Sequence, residues 1–145
     1  YTQTLYHIVL RTKRSEKSIP QQNASSLYKY VWGVIKNKKG TLYRINGMED
    51  HVHILSDIHP TIALADYVKD IKVSTSLWMK KSSEFSKFTG WEEGYAAFTY
   101  AFKDKESIIN YIKNQQEHHK KESSKDELMR IFKECGVDFD EKYLS

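Results

Sequence analysis

His51-Val52-His53 is the sharpest chemical signal in the chain. Side chains two apart on a strand share a face, so two imidazoles would stand side by side there, and imidazole is a common metal ligand. Alone the pair is weak evidence, because six histidines in 145 residues produce a His-x-His by chance in roughly a quarter of such sequences. The alternative is two polar side chains hydrated on an open strand face. A second constellation is Tyr111-Ile-Lys-Asn-Gln115, whose phenol and amide, four residues apart, lie on one face of a helix. Its plain alternative is a partly buried core tyrosine followed by a surface glutamine.

These residues need elements to present them. Ile8-Val9-Leu10 predicts a central strand over residues 5–11, ending in basic, turn-like residues. Leu27, Tyr30, Val31, Val34 and Ile35 recur at helical spacing and predict a helix over 21–36, with Gly40 as its C-cap. Residues 41–46 and 51–58 read as an antiparallel pair joined by the turn Gly47-Met48-Glu49-Asp50. Thr61 is a plausible N-cap for a second helix to Lys81, carrying Leu64, Val68, Ile71, Thr75 and Trp78 on one stripe. A polar loop over 82–90 leads to a last strand over 95–102. Asp104 can then cap a helix over 105–120, and a further helix spans 123–134 before Gly136.

The order strand, helix, strand, strand, helix, strand is the split βαβ plan of an α+β, ferredoxin-like antiparallel sheet. Two helices cover one face, taking Val52 and Ile54 into that core. His51 and His53 point to the other face, which a ligand or the C-terminal helix must cover.

Composition agrees with one folded domain over 1–145, of which 123–145 is a C-terminal helical tail. The chain is 39% hydrophobic and 29% charged, which excludes wholesale disorder, and its apolar runs are far shorter than a membrane span requires. No secretory signal is expected from the opening residues. A single cysteine, Cys135, excludes an intramolecular disulfide and a multi-cysteine zinc site, and points to a reducing cytoplasm. The 23 Lys and Arg against 19 Asp and Glu give a net charge of +4, which permits a polyanion partner.

Four motifs in register, Tyr6-His-Ile-Val-Leu-Arg-Thr-Lys13, Asp50-His-Val-His-Ile-Leu55, Trp91-Glu-Glu-Gly-Tyr95 and Tyr111-Ile-Lys-Asn-Gln-Gln-Glu-His-His119, resemble those of single-tyrosine HUH transposases. These are the small transposases of bacterial insertion sequences and the related REP-associated tyrosine transposases. The resemblance runs from Tyr6 to His119, and the tail from Glu127-Leu to Tyr143-Leu looks like that of many bacterial members.

The resemblance implies an enzyme that nicks and rejoins single-stranded DNA, with hairpin-containing element ends as substrate. Carried over by motif, Tyr111 is the nucleophile that forms a 5′-phosphotyrosine. His51, His53 and Gln115 are implied ligands of a divalent metal, Mg²⁺ or Mn²⁺. The chemistry agrees. A phenol of pKa ~10 needs a Lewis acid to polarise the phosphate, and three neutral ligands leave the cation's charge available to it. No Gly-x-x-x-x-Gly-Lys-Ser/Thr loop is present and no nucleotide cofactor is expected.

Arg11, Lys13 and Arg14 after the first strand, with Lys69 and Lys72 on the second helix, are candidates for a DNA track. Trp91 and Tyr95 could stack bases or fill the core. His118, seven residues past Tyr111, could assist the leaving oxygen, contact DNA, or merely offset the helix dipole. The family resemblance also implies a homodimer, with His51 and His53 of one subunit facing Tyr111 of the other. The connection over 102–105 equally lets the helix fold back onto its own sheet. Rival readings are a relaxase or replication initiator, a small zinc hydrolase, and a catalytically idle or domesticated ferredoxin-like DNA-binding regulator.

Overall fold

Strands β1 (Tyr6–Arg11) and β3 (His51–Ser56) pair antiparallel at the centre of the sheet, with Arg11 opposite His51 and Val9 opposite His53. β1 splits into Ile8 and Leu10 on one face and His7 and Val9 on the other, and all four are buried, so both faces must be covered. The edges are β2 (Leu42–Met48), beside β3, and β4 (Ala96–Thr99), beside β1. The resulting order β2-β3-β1-β4, antiparallel throughout, is the expected ferredoxin-like α+β sheet. The computed structural model describes residues 4–120 and 122–134, so Cys135, Gly136 and the rest of the expected tail lie outside it.

Helices α1 (Ala24–Asn37) and α2 (Leu64–Lys81) cover one face. Leu27, Val31 and Ile35 of α1 and Val68 and Ile71 of α2 pack with Ile8, Leu10, Val52 and Ile54. The other face is closed by α3 (Lys105–Lys113), α4 (Gln115–His118) and α5 (Ser124–Glu134). There Leu128 and Ile131 pack on Val9 and Phe98, and Ile112 packs on Leu5 and Leu55. No described helix is long and apolar enough to cross a membrane.

Three local expectations are corrected. The helix expected over 105–120 is broken at Asn114, where Asn46 of β2 donates at 3.0 Å to the carbonyls of both Ile112 and Lys113. That side chain satisfies carbonyls at the helix end that otherwise lack an intrahelical partner. Thr61 does not cap α2, because its hydroxyl is 2.6 Å from His59 Nδ1 in the preceding turn, and the helix starts three residues later. The last strand is shorter than 95–102, since residues 102–104 form a 3₁₀ turn.

The β2–β3 hairpin turns on Glu49 and Asp50 alone, because Met48 pairs with His51 and Gly47 with Val52. A Cβ on Gly47 would lie 2.2 Å from the His51 carbonyl oxygen and 2.9 Å from Val52 Cα, a collision with backbone. Glycine is needed there for space. Gly47→Ala should therefore destabilise the fold by about 3 kcal/mol and lower the thermal midpoint by roughly 10 °C, read by circular dichroism. A midpoint unchanged from wild type would show that the hairpin yields at no cost.

Candidate functional site

The alternation of β3 sends His51, His53 and Leu55 to the face opposite α1 and α2. The strand's starting point is fixed by its turn: Thr12 donates to the Asp50 carbonyl from its amide at 2.9 Å and its hydroxyl at 3.1 Å. Ser18 and Ile19 amides hold the Glu49 carbonyl at 3.1 and 3.0 Å. Far from standing hydrated on an open face, both imidazoles are wholly buried beneath the C-terminal helices.

Hydrogen bonds orient each group. Asp50 Oδ1 lies 2.7 Å from His51 Nδ1, so in neutral His51 that nitrogen donates and Nε2 turns a lone pair to the centre. Asp50 Oδ2 in turn accepts from Ser124 of α5 at 3.1 Å. His53 Nδ1 is 2.7 Å from His7 Nε2, a contact that serves either tautomer of His53. The Gln115 amide donates to Glu127 Oε2 at 3.0 Å, which turns its carbonyl oxygen toward His51 Nε2 at 3.2 Å and His119 Nε2 at 3.1 Å.

Glu127 joins every part of this centre. Its Oε1 lies 2.7 Å from His53 Nε2, 3.3 Å from His119 Nε2 and 3.6 Å from His51 Nε2. Its Oε2 accepts the Tyr111 hydroxyl, whose oxygen also accepts from Arg130 Nη2 at 2.7 Å. The structure thus brings Tyr111, His51, His53 and Gln115 of one chain together. The helix bearing Tyr111 has folded back onto its own sheet, which puts the phenol ring 6.1 Å from His53 of the same chain.

The donor set fits a cation. His51, His53, His119 and Glu127 offer ligand atoms all within 4.8 Å of one another. The His51 Nε2 lone pair faces the oxygens of Gln115 and Glu127, three acceptors that only a second proton or a metal ion can satisfy together.

Charge states follow the same geometry. Burial would push the Glu127 carboxyl up, yet hydrogen bonds from His119 and His53 hold it far below the usual carboxylate range. Burial lowers His53 below the ordinary imidazole value, and burial with the neighbouring charge of His53 does the same to His7. Burial would lower His119 too, but the hydrogen bond and charge of Glu127 raise it. Tyr111 is raised by burial and by Glu127, with Arg130 opposing, so the phenol keeps its proton.

Two members of this cluster, Glu127 and His119, escaped the sequence reading. Their signals were the four-residue spacing Tyr111, Gln115, His119 and an acid beside Leu128 on the apolar face of α5. His118, singled out instead, places its ring 4.6 Å from that of Tyr111 and remains partly exposed.

The expected DNA contacts divide. Arg11 sits opposite His51 at the sheet's end, with its guanidinium 2.5 Å from Ser15 Oγ. Lys13 and Arg14 are exposed in the loop that follows. Lys69 and Lys72 belong to α2, on the face opposite the histidines, and Lys72 is engaged with the carbonyls of Glu92 and Gly94. Lys13 and Lys72 line one open cavity of about 420 Å³ with Trp91, but Glu92 and Glu93 line it too and offset their charge. Trp91 packs on Phe88 and donates to Thr75 at 2.9 Å, whereas Tyr95 is exposed and free to stack.

Residues 1–115 match the sequence profile of a family described as "Transposase IS200 like". Among solved structures, the chain is similar to a candidate transposase from Deinococcus radiodurans R1, with 23% identity and a TM-score of 0.60 over 79% of this chain and 93% of that one. It is also similar to a REP-associated tyrosine transposase bound to a REP hairpin, with 10% identity and a TM-score of 0.62 over 82% of this chain and 73% of that one. At such identities the two structures speak for the fold. No curated protein matches.

The buried cluster makes stability depend on pH. His7 and His53 lie below their unfolded value near 6.5, and Asp50 and Glu127 below theirs at 3.8 and 4.5. All four bind fewer protons folded than unfolded, so their stabilisation is present above those values and is lost as pH falls. His119, raised, has the opposite sign: its contribution is present below 6.5 and lost as pH rises. The thermal midpoint in EDTA should therefore drop between pH 7.5 and pH 4, first through the imidazole range and then through the carboxylate range. A level or rising midpoint on acidification would contradict the burial of these groups.

Proposed function

The chain belongs to the IS200-like transposase family, and from that premise we propose that it nicks and rejoins single-stranded DNA through a 5′-phosphotyrosine at Tyr111. The observation that carries this reading is the convergence of the Tyr111 hydroxyl and the His51, His53 and Gln115 side chains on one buried carboxylate. A nucleophile and a set of metal donors have no structural need to meet at one point.

His51 Nε2, His53 Nε2 and Gln115 Oε1 would hold the metal, with His119 Nε2 and Glu127 Oε1 lining the same centre. A bound Mg²⁺ or Mn²⁺ supplies Lewis-acid polarisation of the scissile phosphate. The abundance of imidazole favours Mn²⁺ over Mg²⁺. The second histidine nitrogens, held by Asp50 and His7, keep both rings aimed inward. Tyr111 attacks phosphorus and a DNA 3′-hydroxyl is released. The phosphodiester's energy is retained in the phosphotyrosine, so a 3′-hydroxyl from another strand end can reverse the attack without ATP.

The REP hairpin bound by the solved relative supports a hairpin-containing DNA end as the substrate here. Arg11, Lys13 and Arg14 lie at the end of β1 nearest the histidines and are the DNA-binding side chains we favour, with His118 beside the nucleophile and Tyr95 as a stacking surface. The expected setting is the bacterial cytoplasm, on the nucleoid. The expected assembly is a homodimer in which each subunit carries a complete site.

Tyr111→Phe should abolish both cleavage and the covalent adduct while leaving hairpin binding intact, since only the attacking oxygen is lost. His51→Ala and His53→Ala should each lose Mn²⁺-dependent cleavage, with Gln115→Ala losing less, and EDTA should stop the wild type. A denaturing gel that still shows Tyr111→Phe protein attached to oligonucleotide would sink the assignment. Wild-type protein that shifts a hairpin but never forms an adduct would favour the idle regulator. The return of the Tyr111 helix onto its own sheet supports sites complete within one chain, so co-refolded His53→Ala and Tyr111→Phe proteins should stay inactive; recovered cleavage would show that sites are shared.

A further inference from the structure

The nucleophile's hydroxyl has only two described hydrogen-bond partners, and both come from α5. Arg130 can only donate, so its 2.7 Å contact occupies a lone pair of the Tyr111 oxygen. The phenol's single proton is therefore directed at Glu127 Oε2. We propose that Glu127 is the proton acceptor for Tyr111 during attack and that Arg130 holds the attacking oxygen, so that α5 belongs to the active centre. This rests on the DNA-nicking reading above.

Burial makes the arrangement specific. A lone buried carboxylate is strongly unfavourable, so Glu127 needs partners on this face beyond the apolar packing of Leu128 and Ile131. Glu127 is nevertheless wholly buried, with its two oxygens divided between two tasks. Oε1 faces the imidazoles, and Oε2 faces the phenol and the Gln115 amide. Arg130 is placed as firmly. Its guanidinium lies 2.9 Å from Glu122 and 3.2 Å from Glu134, with its carbon 5.4 Å from the Tyr111 ring centre, yet its side chain remains 38% exposed. A permanent cation at the rim can meet both the attacking oxygen and an incoming phosphate.

The step balances without a further reagent. The Tyr111 O–H bond breaks together with formation of the oxygen–phosphorus bond, not before it. The phenol keeps its proton at rest, its oxygen becomes strongly acidic as it bonds to phosphorus, and the proton then passes along the existing hydrogen bond to Glu127 Oε2, a weak base. The bond from phosphorus to the 3′ oxygen breaks, and that oxygen takes its proton from water. In rejoining, the 3′-hydroxyl gives up its proton to water, and protonated Glu127 returns its own to the departing phenol oxygen.

Glu127→Gln is the decisive variant, because it keeps an oxygen for the cation and replaces the proton acceptor with an amide. Three quantities separate the roles: single-turnover cleavage of a hairpin oligonucleotide, Mn²⁺ affinity by electron paramagnetic resonance, and acetylation of Tyr111 by N-acetylimidazole without DNA. We expect cleavage to fall about a hundredfold or more, Mn²⁺ affinity to change by less than about tenfold, and acetylation to slow. Glu127→Asp should recover part of the cleavage. Arg130→Gln should slow cleavage about tenfold or more, and Arg130→Lys should recover part of it. Wild-type cleavage by Glu127→Gln overturns the proposal, as does a fall in Mn²⁺ affinity that matches the fall in cleavage. Faster cleavage or acetylation in that variant also overturns it, making the carboxylate a plug that shields the phenol. Wild-type protein that acetylates Tyr111 in a Glu127-dependent manner but cuts no DNA overturns the DNA reading alone.

Discussion

The buried carboxylate of Glu127 is the constraint around which the C-terminal half of the molecule is arranged. It can leave water only because His53, His119, Gln115 and Tyr111 meet it, and each of those groups stands on a separate turn or strand that must be placed correctly first. The apolar contacts of α5 on Val9 and Phe98 draw the helix down, and the polar contacts decide how it sits. Removing any one partner leaves a charge or donor unsatisfied in a dry place, which costs more than the hydrogen bond itself returns. Such a network specifies one arrangement rather than merely adding stability.

The sheet's two faces carry different kinds of core as a result. Beneath α1 and α2 the contacts are almost wholly apolar, and the side chains there serve as a rigid backing. On the other face, polar groups occupy places where the same strands could have carried Val or Leu. That choice is one expected at a reactive centre, where preorganised donors and acceptors are held by a packed scaffold at a cost in stability. Asp50 shows how closely the two are joined: its backbone carbonyl anchors the hairpin to Thr12, one carboxylate oxygen orients His51, and the other receives Ser124 from α5.

The interruption at Asn114 has a comparable structural role. An unbroken helix would carry Tyr111, Gln115 and His119 in a straight row. Here Asn46 takes the carbonyls of Ile112 and Lys113, and the chain restarts as α4. Gln116, one residue past Gln115, donates to the Asn46 side chain and the Gly47 carbonyl, fastening the short helix to β2. Tyr111 and Gln115 are thus positioned by a strand distant in sequence.

Much of this was legible in the residues alone. The period-two alternation of β1 and β3 determined which side chains face which layer, because neighbouring positions on a strand must point opposite ways. The order of elements determined the ferredoxin-like plan; His51 and His53 stand out by their spacing, whereas Tyr111 and Gln115 are marked as site residues only through the resemblance of their motif. Only the tertiary structure decided that both imidazoles are buried, that Glu127 and His119 join them, and that Arg130 meets the phenol. The physical reason is that each of these depends on where α5 docks, and docking is settled by contacts between residues more than a hundred positions apart, such as Val9 with Leu128 and Ile131. A helical period records which face of α5 is apolar; it holds no record of what that face will meet, nor that an acid within it will find four partners.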